Sequence, residues 1–167
     1  MHYLKNTIGI LLILCASRFI PHPPNFTSLI AIAFYIPLLL GKRFIFSTLI
    51  CFIFTDLIIG LHSTIFFTWS SVLVIGFLSK FYNGKGNITK RLGGALTGSF
   101  IFFIISNFGV WTLGGYGYTL NSVLECYTMA LPFFGYTLIS TLLFAIIIET
   151  IYFLHLNYFK KKFNFWL

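Results

Sequence analysis

Six long apolar runs, separated by short polar segments, dominate the sequence. They cover residues 8–20, 26–40, 44–60, 65–79, 92–113 and 131–156. An α-helix needs roughly 20 apolar residues to cross a bilayer, whereas a membrane β-barrel shows ten-residue stretches in which apolar and polar positions alternate. The pattern therefore predicts an all-α membrane protein, a six-helix transmembrane bundle that forms one integral membrane domain over residues 1–167.

The composition supports this prediction. Hydrophobic residues make up 58% of the 167 residues and charged residues only 8%, whereas a soluble domain carries about a quarter charged residues. A water-soluble fold is therefore not expected. The formal net charge of +8 is compatible with nucleic-acid binding, but the basic residues fall in small clusters between the apolar runs. We interpret them as topology signals and expect no nucleic-acid partner.

The distribution of lysine and arginine predicts the orientation of the bundle. Basic residues accumulate in cytoplasmic loops because they resist translocation. With the N-terminus inside, ten of the eleven basic residues are cytoplasmic: Lys5, Lys42, Arg43, Lys80, Lys85, Lys90, Arg91, Lys160, Lys161 and Lys162. Both termini are therefore predicted to be cytoplasmic. The last cluster, followed by aromatic residues up to position 166, predicts an interfacial anchor.

With this topology, the candidate substrate-binding residues gather on the outer side. They are Arg18, His22, Asn25, Asp56, His62, Asn107, Trp111, Tyr116, Glu125, Cys126 and Tyr127. Aromatic rings with a few polar groups are the make-up of a small-molecule site. A carboxylate within a span costs on the order of 3 kcal/mol and normally has a partner, so we expect Asp56 to pair with Arg18. Glu149, near the inner end of the last run, is expected to pair with Arg91 or to reach the interface.

Two features of the pattern predict local structure. The prolines of residues 21–24 end the first helix, and Asn25 is well placed to cap the second. Gly94 and Gly98, four residues apart, predict a helix-packing face, either inside the bundle or toward a partner subunit. The segment 114–130 is predicted to be the longest external connection.

Metal binding and catalysis receive less support from the residues. His22, His62 and Cys126 are possible metal ligands, but their spacing is not diagnostic, and hydrogen-bonded caps or a small buried thiol explain them equally well. No GxSxG, HExxH, phosphate-binding loop or dinucleotide fingerprint is present. We therefore predict that the protein is not an enzyme. The alternative hypothesis is an intramembrane enzyme that uses Asp56, His62 and Glu125.

Four segments, in order along the chain, resemble a known family. They are residues 18–27 (RFIPHPPNFT), 56–63 (DLIIGLHS), 107–111 (NFGVW) and 126–134 (CYTMALPFF). They resemble an uncharacterised family of small bacterial transport-type membrane proteins with an HPPNF signature. That family is similar to the substrate-binding S components of energy-coupling-factor transporters.

The resemblance implies a multi-pass protein of the bacterial cytoplasmic (inner) membrane that takes up a small micronutrient, a vitamin or a metal or cofactor, through an outward-facing pocket. The implied partners are the lipid bilayer, the small-molecule substrate, and an energising transporter module or other membrane subunits. The first run lacks the alanines four apart through which S components commonly dock, so solitary action is open. Solitary cobalamin-binding relatives use a cysteine ligand, which makes Cys126 a candidate. The alternative function is a structural or assembly subunit of a larger membrane complex.

Overall fold

The computed structural model describes residues 2–82 and 87–163 as helices joined by short turns. The helices are α1 (His2–Phe19), α2 (Leu29–Leu40), α3 (Phe44–Ile59), α4 (Ile65–Leu78), α5 (Ile88–Thr112) and α6 (Leu120–Phe163), with a 3-10 turn at Ser79–Phe81. No strand occurs in these described residues. The predicted all-helical fold with six helices is therefore confirmed.

The last helix begins earlier than predicted. It starts at Leu120 rather than at residue 131, so most of the segment predicted as an external connection is helical. The reason is a reciprocal cap: Thr119 Oγ1 accepts a hydrogen bond from the Ser122 backbone N–H at 3.1 Å, and Ser122 Oγ accepts one from the Thr119 backbone N–H at 3.0 Å. Such a cap satisfies two backbone donors that a helix start otherwise leaves unpaired. The candidates at positions 125–127 therefore lie on a helix.

Helix α2 lies at the centre of the bundle, in contact with α3, α4, α5 and α6. Phe34 and Tyr35 are fully buried on it, and Pro37 is buried within its last turns. Proline removes one backbone hydrogen bond, yet the helix continues to Leu40. The core of the protein is therefore built around a short helix that the other helices enclose.

The predicted glycine face of α5 packs inside the bundle. A Cβ at Gly94 would clash with the ring of Phe34, and a Cβ at Gly98 would lie 3.2 Å from Ile75 Cγ2. Glycine lets neighbouring helices approach to this distance because it has no side chain. The face therefore brings α5 against α2 and α4, rather than toward a partner subunit.

The outer surface of the bundle is apolar. Large hydrophobic side chains are exposed on several helices, including Ile50 and Phe54 on α3, Ile104 on α5, and Ile139 and Ile146 on α6. Within the described residues, two helical segments, Ile88–Thr112 and Leu120–Leu154, are long and apolar enough to cross a membrane. Four shorter apolar helices accompany them: Thr7–Phe19, Leu29–Leu40, Phe44–Ile59 and Ile65–Phe81.

The chain reverses direction at each turn, so the turns at residues 20–28, 60–64 and 113–119 lie at one end of the bundle. We call this the cavity end. The opposite end carries the exposed residues Lys42, Arg43, Lys80 and Lys90, and we call it the basic end. Lys85 and the aromatic residues of the predicted C-terminal anchor beyond position 163 lie outside the described residues.

Candidate functional site

A cavity of about 650 Å³ lies at the cavity end, and all six helices contribute to its wall. Seven of the eleven predicted binding residues line it: Arg18, His22, Asn25, His62, Asn107, Tyr116 and Cys126. The structure places the other four, Asp56, Trp111, Glu125 and Tyr127, outside the lining. Side chains that are far apart in the sequence, from position 18 to position 126, thus meet around one space.

The turn after α1 positions two of these residues, but not by the expected helix cap. Asn25 does not cap α2, because α2 begins at Leu29 and Asn25 adopts φ 63°. Asparagine is one of the few residues other than glycine that tolerate this left-handed region. The Thr27 N–H donates to Asn25 O at 3.1 Å, and His22 Nδ1 lies 2.7 Å from Pro23 O. A tight turn therefore brings both polar side chains to the cavity.

The predicted ion pair between Arg18 and Asp56 is present. Arg18 Nη2 lies 2.6 Å from Asp56 Oδ1, and Asp56 Oδ2 accepts a hydrogen bond from Trp69 Nε1 at 2.7 Å. Arg18 also donates to Thr55 Oγ1, and its guanidinium lies 4.7 Å from the centroid of the Phe52 ring. The Asp56 side chain is 1% exposed and the Arg18 side chain 15%. The carboxylate is therefore buried behind the arginine, and the arginine faces the cavity.

Two of the aromatic candidates, Trp111 and Tyr127, do not line the cavity but join the helices that form its wall. Trp111 Nε1 donates to Ser122 Oγ at 3.1 Å, and its ring packs against Tyr118 with centroids 5.7 Å apart. The Tyr127 hydroxyl donates to Ile104 O at 2.7 Å. The polar atoms of these rings are thus used to join α5 to the start of α6.

Cys126 lies where α5 and α6 meet at the cavity. It is buried, and its Sγ lies 3.6 Å from Asn107 O, while Asn107 Nδ2 donates to Phe103 O at 2.7 Å. His62 Nδ1 lies 3.0 Å from Thr64 Oγ1 in the α3–α4 turn. Over residues 2–82 and 87–163, no group of three His, Cys, Asp or Glu side chains is placed to hold a metal ion.

Much of the apolar wall was not predicted from the sequence. Phe102, Phe103, Phe133 and Phe134 line the cavity from α5 and α6. The rings of Phe103 and Phe134 are 4.5 Å apart at an interplanar angle of 32°. A signal was present, because residues three and four apart share a helix face, and Phe103 lies on the face of α5 that also carries the predicted residue Asn107.

A family model described as "Family of unknown function (DUF6580)" matches residues 3–163. The chain belongs to the DUF6580 family. No curated protein and no solved structure matches it significantly. The matched range includes every residue that lines the cavity, so the whole candidate site lies within the DUF6580 domain.

A second ion pair lies toward the basic end of the DUF6580 bundle. Arg91 Nε and Nη2 donate to the two carboxylate oxygens of Glu149, each at 2.6 Å, and the Tyr35 hydroxyl donates to Glu149 Oε1 at 2.8 Å. Both charged side chains are buried. Of the two expectations for Glu149, the pairing with Arg91 is therefore the one that the structure shows, and Tyr35 adds the central helix to it.

Proposed function

We propose that this DUF6580 protein is a six-span protein of the bacterial inner membrane, with the cavity facing outward. The exposed apolar side chains of α3, α5 and α6 support this proposal, because a soluble protein rarely exposes large contiguous apolar patches. Cytoplasmic loops carry an excess of lysine and arginine, so the basic end, with Lys42, Lys80 and Lys90, is the cytoplasmic one. The other helices enclose α2, so its 12 residues need not match the bilayer thickness unaided.

Within that membrane setting, the protein binds a small micronutrient from the outer side and takes part in its uptake, as S components do. The observation that carries this proposal is a cavity of about 650 Å³ to which all six helices contribute. Sites for small molecules typically measure about 300–1,000 Å³ and combine apolar walls with a few polar groups. Phe102, Phe103, Phe133 and Phe134, together with the polar residues Arg18, His22 and Asn107, give this cavity the same make-up.

A structural or assembly subunit is the competing function. Such a subunit needs contact surfaces for its partners, and the sequence offers two candidates, the glycine face of α5 and the C-terminal segment of lysines and aromatic residues from Lys160 onward. Gly94 and Gly98 instead pack against Phe34 and Ile75 inside the bundle. The glycine face is therefore used inside the bundle, whereas the cavity is open to a ligand. This contrast favours the binding function over the structural one.

Small molecules that copurify with the protein provide the direct test. The protein would be purified in detergent, and its extract would be analysed by mass spectrometry beside two variants. Ser106→Trp places a large ring in the cavity, whereas Ile104→Trp places the same ring on the exposed face of the same helix. We expect one compound to be enriched with the wild type and with Ile104→Trp but not with Ser106→Trp. Equal amounts in all three preparations, or no enriched compound, would contradict the binding function.

Fractionation and reporter fusions test the membrane proposal separately. The protein should stay in the membrane pellet after an alkaline wash, because its surface is apolar. Green fluorescent protein fused after Leu167 should fluoresce, whereas alkaline phosphatase fused there should be inactive, since the C-terminus is cytoplasmic. Release of the protein by the wash, or active phosphatase, would refute the proposed topology.

A further inference from the structure

Over residues 2–82 and 87–163, the side chains that line the cavity include no aspartate or glutamate. The sequence has only three acidic residues, and each is accounted for elsewhere. Asp56 is buried behind Arg18, Glu125 is exposed on α6 outside the lining, and Glu149 is paired with Arg91. Metal ions such as Ca²⁺ and Mg²⁺ are bound mainly by carboxylate and carbonyl oxygens. A cationic ligand would therefore find no countercharge in this wall.

A permanent positive charge, in contrast, lies in the cavity wall. Arg18 lines the cavity, and its paired carboxylate is buried at 1% exposure, so the arginine is the member of that pair that a ligand would meet. Helix dipoles add little to this charge. A helix start carries about half a positive charge and a helix end about half a negative one, and the starts of α2, α4 and α6 lie at the same end of the bundle as the ends of α1, α3 and α5.

The part of the cavity wall that α5 and α6 contribute is rich in aromatic rings. Phe102 and Phe103 contribute from α5, and Phe133 and Phe134 from α6. Phe103 and Phe134 pack with centroids 4.5 Å apart. Aromatic rings favour offset stacking or edge contacts with a second ring, so this part suits a flat apolar body rather than a sugar or another strongly hydrated group.

From these two parts of the wall, we propose that the ligand is a small acid, with an aromatic or otherwise flat apolar body and one carboxylate- or phosphate-type anionic group. The anionic group lies toward Arg18, and the flat body lies against the phenylalanines of α5 and α6. This inference rests on the proposed binding function and narrows it to one chemical class.

A charge series at position 62 tests the sign of the ligand. His62 lines the cavity from an exposed turn, so His62→Glu, His62→Gln and His62→Lys should fold alike. The measurement is the amount of copurified compound that each variant retains after the same wash. If the ligand is an anion, we expect His62→Glu to retain about threefold to tenfold less compound than His62→Gln. The added negative charge at the rim of the cavity repels the anion, and water and salt partly screen this repulsion. Retention with Lys should equal or exceed that with Gln. Equal retention by all three variants, or more compound retained by His62→Glu than by His62→Lys, would overturn the proposal.

A matched series controls for general surface charge. Asn121 is exposed at the start of α6 and is not part of the cavity lining. Asn121→Glu and Asn121→Lys should retain equal amounts of compound. A difference between them as large as that at position 62 would show that surface charge, rather than the cavity, controls retention, and would overturn the proposal.

The chemical identity of the compound then tests the class. A flat or aromatic acid, lost from Ser106→Trp, supports the proposal. A cation, a neutral molecule or an anionic phospholipid in its place would overturn the ligand class but leave the binding function intact. A wild-type protein that retains no compound would overturn the binding function itself, and this inference with it.

Discussion

Removing the Glu149 carboxylate should destabilise the bundle strongly. Glu149 accepts three hydrogen bonds, two from Arg91 at 2.6 Å and one from the Tyr35 hydroxyl at 2.8 Å. Its side chain is only 5% exposed. In Glu149→Ala, the guanidinium remains buried without its countercharge and the tyrosine loses its acceptor. The variant thus removes a contact among α2, α5 and α6 that water cannot easily replace.

The size of the effect follows from the burial of both partners. Removing one member of a buried ion pair costs about 3–5 kcal/mol. Because Tm changes by about 2–4 °C per kcal/mol in a chain of this length, the expected fall is roughly 10 °C. Glu149→Gln keeps a hydrogen-bond acceptor and should lose less. Arg91→Met combined with Glu149→Leu removes both charges, and such replacements are often neutral, so the double variant should be more stable than Glu149→Ala.

The assay is thermal unfolding of the purified variants in one detergent, followed by intrinsic fluorescence and checked by size-exclusion chromatography. Two results would refute the reasoning. The first is a Tm for Glu149→Ala within about 2 °C of the wild type, which would mean that water or detergent compensates the exposed charge. The second is a double variant as unstable as Glu149→Ala, which would mean that packing rather than charge dominates at this site.

Three further predictions follow from other contacts. Asp56→Ala should lower the Tm and the yield, because Arg18 loses its buried partner, and Asp56→Asn should lower them less; equal values for both variants would show that the charge is unimportant. Gly94→Val should reduce the monodisperse fraction on size exclusion because its side chain meets a ring of α2, whereas Gly93→Val has open space and should behave like the wild type. Thr119→Ala removes the Oγ1 that caps the start of α6 and should cost about 0.5–2 kcal/mol, measured as a Tm shift; an unchanged Tm would argue against that cap.

The six helices and both ion pairs were predictable from the sequence for a simple physical reason. Most of the apolar runs end near prolines, glycines or charged residues, which disfavour the continuation of an apolar helix. A chain with three acidic residues offers few partners for a buried arginine. Arg18 with Asp56 was therefore the expected pairing, and Arg91 with Glu149 was one of the two expectations for that glutamate.

The start of α6 and the phenylalanines of the cavity wall were not predicted, also for physical reasons. The polar residues around Glu125 resemble a connection, and the Thr119–Ser122 cap that makes this stretch helical is a two-residue signal. Within an apolar run, the sequence does not distinguish a phenylalanine that faces a cavity from one that faces lipid. Helical spacing relates Phe103 to Asn107, but only the helix arrangement shows that Phe134 lines the cavity.

The two ion pairs also divide the helices into two groups. Asp56, with Arg18 and Trp69, joins α1, α3 and α4, whereas Glu149, with Arg91 and Tyr35, joins α2, α5 and α6. Between the groups, α4 meets α5 through close contacts of two glycines with apolar side chains of α4. Hydrogen bonds between Ser17 of α1 and Ser28, the residue before α2, also join the groups. Residues of both groups line the cavity, so its wall is built from two sets of helices, each held by its own buried ion pair.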